Sequence, residues 1–218
     1  FINSSVNISN TNYSELILCG AQGANVTNVT IRGSDTLQNN GMFLLFSNNT
    51  RLVNIITSGN NIGVEMVDIY GAYLQNITYE HNLYGGILWR SSNNTIDYQT
   101  AYNNSVGIIL YGNSEWNNIT NLQLYDLPAS SVYGQLVFSA EDITGETPEN
   151  NLLYNVSIYN SRGYIIGGGI ITNSNNFTNL TLCNREGVGC IQWSFVNITN
   201  ASLTNNTNII LDDEFVSL

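Results

Sequence analysis

The sequence predicts an all-β fold, a single parallel β-solenoid of roughly seven or eight coils with essentially no α-helix. Three observations predict it. Short segments that begin with glycine recur at Gly41, Gly63, Gly86 and Gly107, at intervals of 22, 23 and 21 residues. Within these segments apolar and polar residues alternate with period two, and Val, Ile, Leu and Tyr dominate the apolar positions. No segment combines a 3.6-residue period with capping residues, as a helix requires.

A second recurring segment, asparagine followed by apolar, polar and apolar residues, lies between the glycine-led segments. Its copies are 28–31, 76–79, 121–124, 155–158 and 179–182. A short unit with two strands cannot bury its own apolar face, whereas stacked units bury a continuous core. Parallel stacking would place each strand about 4.8 Å from its equivalent in the next coil. The two kinds of segment are therefore predicted to be the strands of one solenoid.

Paired asparagines are predicted at the corners between strands, at 93–94, 103–104 and 117–118. Asn tolerates the left-handed turn conformation better than other non-glycine residues, and stacked Asn amides can hydrogen-bond from coil to coil. The apolar residues between corners are predicted to face the core. On this alignment Ile96 and Tyr98 lie above Ile77 and Tyr79, and Ile108 and Leu110 lie above Ile87 and Trp89.

Residues 85–120 fit a pattern that can be written GIxLxxSxNNxIxxN, and looser copies extend over nearly the whole chain. The pattern resembles the right-handed parallel β-helix repeat family, which includes pectate-lyase-like and NosD-like solenoids and many archaeal surface proteins. The resemblance implies a right-handed solenoid, and the sequence looks most like an archaeal-type glycosylated surface protein. It implies little about activity, since this fold serves many functions.

One domain is predicted over residues 1–218, with an inserted loop around 127–150. The two prolines of the chain, Pro128 and Pro148, bound the longest departure from the repeat. The acidic residues of the loop around 127–150 are Glu141, Asp142, Glu146 and Glu149. A loop ejected from the solenoid explains this interval, and calcium binding by the acidic residues is the alternative.

Catalytic motifs of the resembled enzymes are missing from the sequence. Polygalacturonase-like enzymes carry Asn-Thr-Asp, Asp-Asp, Gly-His-Gly and Arg-Ile-Lys motifs on one face, and the one Asp-Asp pair here is Asp212-Asp213. The remaining candidates for a catalytic or calcium site are Glu65, Glu80, Arg90 and Asp97. The predicted register does not bring them together, and His81, the one histidine, has no second histidine for a metal site or triad. The chain is therefore predicted not to be an enzyme and to use no metal or cofactor.

The 218 residues include 16 Asp and Glu against 5 Arg and no Lys, which gives a net charge of −11. This charge repels nucleic acid phosphates and anionic lipid, so neither is a predicted partner. The longest apolar stretch, near residues 164–171, is too short to span a bilayer. The sequence begins at Phe1 with no basic segment, which predicts an exported chain, its signal removed, at the extracellular cell surface.

Sixteen Asn-X-Ser/Thr sequons occur among 37 asparagines, and they predict N-glycosylation of several sites. The strand repeat also produces sequons by itself, because a corner Asn is followed by an inward apolar residue and then by an outward Ser or Thr. Some sequons are therefore structural coincidences. The candidate glycosylation sites are Asn3, Asn7, Asn12, Asn25, Asn28, Asn48, Asn76, Asn93, Asn103, Asn118, Asn155, Asn176, Asn179, Asn197, Asn200 and Asn205.

Three cysteines occur, Cys19, Cys183 and Cys190. A turn-rich stretch separates Cys183 from Cys190, and an extracellular location favours a disulfide between them. Cys19 follows an apolar run, which suggests a small buried core residue. A bond from Cys19 to a neighbouring subunit, or to either of the other cysteines, stays open.

Three hypotheses for function follow. The main prediction is an extracellular structural glycoprotein that assembles into a surface filament, tube or lattice. Residues 1–12 and 208–218 are strand-like and uncapped, so copies of the same chain are predicted to cover each end, head to tail. The alternatives are a carbohydrate-active β-helix enzyme of the polysaccharide lyase or hydrolase kind, and a glycan-binding adhesin or viral spike.

Overall fold

Two parallel sheets form the walls of the molecule in a computed structural model, which describes residues 7–33, 39–126, 135–161, 166–168 and 175–184. The first sheet contains the odd-numbered strands β1 Asn7–Tyr13, β3 Asn25–Arg32, β5 Arg51–Ser58, β7 Tyr73–Glu80, β9 Thr95–Tyr102, β11 Asn118–Tyr125, β13 Leu152–Ser161 and β15 Asn176–Asn184. The second sheet contains β2 Leu16–Cys19, β4 Met42–Leu45, β6 Ile62–Val67, β8 Tyr84–Trp89, β10 Val106–Tyr111, β12 Leu136–Ser139 and β14 Ile166–Gly168.

The chain alternates between the two sheets, so one strand from each sheet and the turns between them make one coil. Strands stand in chain order within each sheet, and every neighbouring pair is parallel. The described residues contain no α-helix, and none of their segments has the helical length and hydropathy that a bilayer crossing requires. The predicted all-β parallel solenoid of about seven coils is confirmed.

In the first sheet, the seven strands from β1 to β13 each turn a corner at one residue in the left-handed conformation, with φ between 52° and 55°. These residues are Asn10, Asn28, Asn54, Asn76, Tyr98, Asn121 and Asn155. The side-chain Nδ2 of Asn54 donates to Oδ1 of Asn28, and that of Asn76 to Oδ1 of Asn54, both at 2.8 Å. Asparagine predominates because it tolerates this backbone conformation and its amide bonds to the next coil. We call this set the outer asparagine column.

Two more asparagine columns lie inside the solenoid, where the chain enters each sheet. The column before the first sheet contains Asn94, Asn117, Asn151 and Asn175, and the column before the second contains Asn60, Asn82 and Asn104. All seven are buried. In the predicted corner pairs 93–94 and 103–104, the first asparagine takes the left-handed turn and the second points inward.

Asn117 shows how these inner columns satisfy buried polar groups. Its Nδ2 donates to the carbonyl of Ser91 at 2.9 Å and to Oδ1 of Asn151 at 3.0 Å. Its Oδ1 accepts from the backbone N–H of Asn94 at 3.0 Å and from the Nδ2 of Asn94 at 2.9 Å. The Asn117 amide therefore makes bonds to the coils on both sides, and both of its polar atoms are satisfied.

Apolar side chains fill the space between the sheets in columns of the same kind. Leu52, Leu74, Ile96, Ile119 and Leu153 stack along the first sheet, and Leu44, Met66, Leu88, Leu110 and Phe138 along the second. All are at most 4% exposed. The core is thus continuous through the stack, as repeat proteins require.

The structure corrects the predicted direction of two side chains in β8. Ile87 and Trp89 were placed in the core, but both face outward, and Leu88 is buried between them. The prediction paired Gly86 with Gly107, whereas Gly85 occupies the repeating position, where an added Cβ would lie 2.4 Å from the carbonyl oxygen of Gly107. A slip of one residue moves every side chain of a strand to the other face.

Tyr98 was also predicted to face the core, and that prediction is wrong. Its side chain is 57% exposed, because Tyr98 occupies the left-handed corner that asparagine holds in most other coils. Gln99 takes the inward position and accepts a hydrogen bond from the hydroxyl of Tyr79 at 2.7 Å. Ile77, Tyr79, Ile96, Ile108 and Leu110 face inward as predicted, but Ile96 pairs with Leu74 rather than with Ile77.

Some predictions concern residues outside the described part of the chain. The terminal segments proposed as polymer contacts lie there, apart from residues 7–12 in β1. Within the proposed loop at 127–150, residues 127–134 lie outside the described part, 136–139 form β12, and 140–150 run outside the strands. The extent of the domain and of its insertion stays a prediction.

Replacement of Asn117 by alanine tests the inner column. The substitution would leave the carbonyl of Ser91 and the N–H of Asn94 without the bonds that Asn117 makes to them. Each unsatisfied buried group costs about 1–3 kcal/mol, so we expect Asn117→Ala to lower the free energy of unfolding by about 3 kcal/mol or more. Urea denaturation followed by circular dichroism measures this change.

Asn113→Ala is the matched control, because Asn113 is an exposed asparagine in the turn before Asn117. We expect it to change stability by less than about 0.5 kcal/mol. Equal effects of the two substitutions would contradict the structural role assigned to the buried column.

Candidate functional site

The outward side chains of the second sheet form an apolar surface. Parallel register aligns Glu65, Ile87, Ile109 and Val137 in one column and Val67, Trp89, Tyr111 and Ser139 in the next. Apolar residues on both faces distinguish these strands from those of a sheet with one solvated face. The surface is the floor of a groove of about 510 Å³ lined by Glu65, Tyr84, Ile87, Trp89, Ile109, Tyr111, Val137, Ser139 and Asp142. We call it the aromatic groove.

Trp89 and Tyr111 are the aromatic pair on the floor of the groove. They stand on adjacent coils, with ring centroids 5.6 Å apart and planes inclined by 77°. Both side chains are half-buried, so part of each ring remains open to a ligand. Edge-to-face packing of this kind fixes the orientation of the rings.

Glu65 is the acidic residue on the floor of the groove. It lies one coil before Ile87 in the register, and its Oε2 accepts a hydrogen bond from Nδ2 of Asn40 at 2.7 Å. Burial against the apolar floor raises the pKa of its carboxyl above the ordinary value. Glu65 therefore holds a proton to higher pH than a solvated glutamate does.

The loop of residues 140–149 lies at one side of the groove, which it lines through Asp142, and Glu141 bonds this loop, here called the wall, to the second sheet. This carboxylate is 5% exposed and accepts from Nη1 of Arg90 at 3.0 Å and from Nε1 of Trp89 at 3.3 Å. Within the loop the hydroxyl of Thr144 donates to Glu141 Oε2 at 3.1 Å. At the rim, the backbone N–H of Asp142 donates to the hydroxyl of Tyr111 at 3.3 Å. Both groove aromatics are thus bonded to the wall.

Arg90 connects this wall to an earlier coil. Its Nε and Nη2 donate to the two carboxylate oxygens of Asp68 at 2.8 and 3.0 Å, and its guanidinium carbon lies 5.0 Å from the Trp89 ring centroid. The hydrogen bond to Asp68 is the largest of the effects that raise the pKa of Arg90. Gly112 occupies the coil between, where an added Cβ would lie 3.4 Å from Glu141 Cβ and 3.5 Å from Arg90 Cγ. An added methyl would thus make ordinary contacts with both residues, and glycine is favoured at this position by its φ of 61°.

The four acidic and basic candidates from the sequence do not converge on one site. Glu65 lies in the aromatic groove, and Arg90 is paired with Asp68 and Glu141. Asp97, on the first sheet, accepts from Thr120 Oγ1 at 2.6 Å and from Asn121 Nδ2 at 2.8 Å. Glu80, on the same sheet, accepts from the hydroxyl of Tyr102, and this bond is the main reason that the pKa of Tyr102 rises to about 12.

The acidic loop residues serve different purposes. Glu141 is the ion-paired carboxylate of the wall, Asp142 lines the groove, and Glu149 accepts from the hydroxyl of Thr147 at 2.9 Å. Glu146 is exposed. Within the described ranges, no group of three or more His, Cys, Asp and Glu side chains is arranged to hold a metal ion. His81 packs edge-on against Tyr102, with centroids 6.2 Å apart.

The predicted glycosylation sites fall into three groups by position. Exposed asparagines are Asn7, Asn12, Asn28, Asn76, Asn93, Asn103, Asn118 and Asn155. Half-buried asparagines are Asn25, Asn48 and Asn176. The side chain of Asn179, on β15, and the residues Asn3, Asn197, Asn200 and Asn205 lie outside the described part of the structure.

Not every sequon is equally available in the folded chain. Asn48 Oδ1 accepts from the backbone N–H of Tyr70 at 2.8 Å, and Thr50 of the same sequon is buried. Asn28, Asn76 and Asn155 use their amides in the outer asparagine column. Occupancy of the sequons stays a prediction.

The structure tests the prediction for Cys19 but not the predicted disulfide. Cys19 is a free, half-exposed cysteine on the outward face of β2, rather than a core residue. Cys183 lies on β15 and Cys190 outside the described residues. The disulfide between them stays a prediction.

Sequence reasoning missed Trp89, Tyr111 and Glu141 as parts of one site. A signal was present for the aromatic residues, because β8 and β10 read as nearly continuous apolar runs, which indicates strands with apolar residues on both faces. No comparable signal marked Glu141, which lies 52 residues from the Trp89 to which it bonds.

The raised pKa of Glu65 predicts a pH-dependent difference in stability. Its pKa is higher in the folded than in the unfolded chain, so below the unfolded value of about 4.3 both states hold the proton. As the pH rises through the folded pKa, Glu65 destabilises the folded state. We expect the stability of Glu65→Gln relative to wild type to rise as the pH increases above about 4.3 and through the folded-state pKa of Glu65, as measured by urea denaturation. Parallel curves of unfolding free energy against pH for the two proteins would contradict this. The variant Glu115→Gln, in the turn between β10 and β11, controls for the loss of one charge.

Solved structures with a similar fold are found among carbohydrate-active enzymes. The A-module of mannuronan C-5 epimerase AlgE6 from Azotobacter vinelandii superposes with a TM-score of 0.59 at 13% sequence identity, over 84% of this chain and 59% of that module. The catalytic domain of a GH87 α-1,3-glucanase in complex with tetrasaccharides gives a TM-score of 0.46 at 13% identity, over 82% of this chain and 48% of that domain. The chain thus spans about half of each enzyme structure.

The similarity to the epimerase module corrects the prediction that the chain is not an enzyme. That prediction used the absence of polygalacturonase-like motifs and the predicted separation of Glu65, Glu80, Arg90 and Asp97. A module of an epimerase has the same fold, so the missing motifs do not exclude catalysis on it. At 13% identity the likeness shows the fold alone.

The sequence itself identifies the family. Among curated proteins none matches the chain. Residues 15–138 match the family described as "Right handed beta helix region", which covers more than half of the chain and agrees with the right-handed solenoid implied by the repeat. The chain belongs to the right-handed β-helix family.

Proposed function

We propose that this protein is carbohydrate-active and holds a polysaccharide chain along the aromatic groove. The observation that carries the proposal is the combination of Trp89 and Tyr111 on the groove floor with the carboxyl of Glu65 beside them. A sugar ring has an apolar face of C–H groups and a rim of hydroxyls. The aromatic rings fit the face, and the carboxyl and hydroxyl groups of the groove fit the rim.

The solenoid geometry suits an extended polymer. Successive coils repeat the outward positions of the second sheet about every 4.8 Å, so a linear glycan can contact several coils in turn. The apolar columns extend beyond the groove, through Phe43 and Ile17 in earlier coils. Concave surfaces of stacked repeats are commonly used for such extended ligands.

The likeness to the epimerase module supports this assignment more than it supports a structural subunit. The module belongs to an enzyme whose name states that it acts on mannuronan. Only 59% of its length is covered by this chain, and the identity is 13%, so we carry over the use of the fold on polysaccharides and no catalytic residue.

The structural-filament hypothesis from the sequence has less support. Head-to-tail assembly through the termini, N-glycosylation and export to the cell surface remain proposals from the sequence, and none of them conflicts with a groove on the side of the solenoid.

Trp89→Ala tests the proposed function. The probes are soluble polysaccharides of two classes. The uncharged class contains glucans, xylan and galactomannan, and the polyuronate class contains alginate and polygalacturonate. Binding is measured by affinity electrophoresis and isothermal titration calorimetry. We expect wild type to bind at least one of them and Trp89→Ala to weaken that binding tenfold or more, because about 1.4 kcal/mol of lost ring contact corresponds to a factor of ten.

Trp116→Ala is the matched control, since Trp116 is 62% exposed and lies in the turn between β10 and β11, outside the groove lining. We expect its affinity to equal that of wild type. Equal losses at Trp89 and Trp116, or no binding by wild type to any polysaccharide of the panel, would contradict the proposed function.

A further inference from the structure

The groove is lined by acids and by uncharged residues, and this composition bears on the class of polysaccharide that it takes. Among its lining residues Glu65 and Asp142 are acidic and none is Arg or Lys. The inference below rests on the proposed function. A polyuronate carries one carboxylate per sugar, and a buried carboxylate needs a cationic or hydrogen-bonding partner. The groove lining supplies no cation for it.

Arg90 directly follows the groove strand β8 in the sequence, and its guanidinium already forms ion pairs within the protein. Nε and Nη2 are bonded to Asp68 and Nη1 to Glu141, at 2.8, 3.0 and 3.0 Å. To reach a substrate carboxylate, Arg90 would have to leave two carboxylates without their partner, one of them 5% exposed. The net charge of −11 opposes a polyanion further. These features favour an uncharged glycan.

The absence of Arg and Lys from the groove lining also bears on the class of reaction. Abstraction of a proton next to a sugar carboxylate, as in elimination or epimerisation, builds negative charge that a cation or metal normally stabilises. Cleavage of an uncharged glycosidic bond requires instead a protonated acid at the leaving oxygen and a base for water. The groove offers two carboxyl groups in different surroundings, Glu65 on the apolar floor and Asp142 on the exposed rim.

We propose that the aromatic groove hydrolyses an uncharged polysaccharide, with Glu65 as the proton donor and Asp142 as the base. Glu65 donates its proton to the glycosidic oxygen as the bond from that oxygen to the anomeric carbon breaks. A water molecule attacks the anomeric carbon, and the Asp142 carboxylate takes the proton that this water loses. Return of a proton from solvent to Glu65, and release of one from Asp142, restores the starting state, so one water is consumed for each bond broken.

The surroundings of Glu65 and Asp142 fit their proposed functions as proton donor and base. Burial in the groove keeps Glu65 protonated to higher pH, as an acid catalyst needs. Trp89 and Tyr111 lie in the outward column next to that of Glu65, so a sugar stacked on them lies beside its carboxyl. The backbone N–H of Asp142 is bonded to the Tyr111 hydroxyl, which holds this part of the rim at the groove.

Glu65→Gln is the direct test, on the full chain with the uncharged polysaccharide that wild type binds most tightly in the panel above. Release of reducing ends measures cleavage, and calorimetry measures binding. We expect Glu65→Gln to bind within about threefold of wild type but to cleave at least about 100-fold more slowly, which is the usual contribution of a general acid. Glu115→Gln removes a carboxyl outside the groove lining and should cleave like wild type.

Leaving-group dependence separates a proton donor from a structural residue. A dinitrophenyl glycoside of the same sugar has a leaving group that needs no proton, so Glu65→Gln should recover most of its rate on this substrate. Asp142→Ala should stay slow on it and be accelerated by added azide, which replaces water as the nucleophile and needs no base.

The outcomes distinguish this inference from the proposed function. Binding of an uncharged glycan without release of reducing ends by wild type would overturn the hydrolysis and leave the binding groove intact. Tighter binding of alginate or polygalacturonate than of every uncharged glycan would overturn the substrate class. Cleavage by Glu65→Gln at the wild-type rate would overturn the assignment of Glu65. Absence of any binding would remove the proposed function itself.

Discussion

Hydrogen bonding by buried asparagine amides is the interaction on which the rest of this structure depends. Each coil must turn between two sheets, and each turn brings backbone N–H and C=O groups into the interior, where an unpaired group is costly. The inner columns, through residues such as Asn94, Asn117 and Asn151, satisfy these groups with side chains from neighbouring coils. Coils that share such bonds must lie directly above one another.

Vertical alignment of the coils also creates the groove. Outward residues of successive strands stand in columns, so Trp89 and Tyr111 meet although they are 22 residues apart in the chain. Departures from the repeat then shape the surface. Arg90 donates a hydrogen bond to Glu141, and this bond holds the loop that contains Glu141 and Asp142 beside the groove. The regular strands thus place Glu65, Trp89 and Tyr111 on the groove, and the irregular loop adds Asp142.

The fold could be predicted from the sequence because its cause is local and repeated. Glycine and asparagine every 22 residues reflect the same turn in each coil. The groove was harder to predict, because the doublet Gly85-Gly86 allows two alignments that differ by one residue, and the wrong one buries Trp89. The wall could not be predicted, since the bond between Trp89 and Glu141 joins residues 52 positions apart across an irregular segment. Absence of familiar catalytic motifs was a poor guide, because motifs belong to particular enzyme groups and not to the fold.

A crystal structure of the protein soaked with a short uncharged oligosaccharide tests the central claim most directly. The account predicts a glycan that runs along the second sheet, with one sugar ring against Trp89 and a glycosidic oxygen within hydrogen-bond distance of the Glu65 carboxyl. It also predicts that Trp89 faces solvent in the unliganded crystal. A Trp89 side chain inside the solenoid, or an oligosaccharide bound on the first sheet with the groove empty, would contradict it.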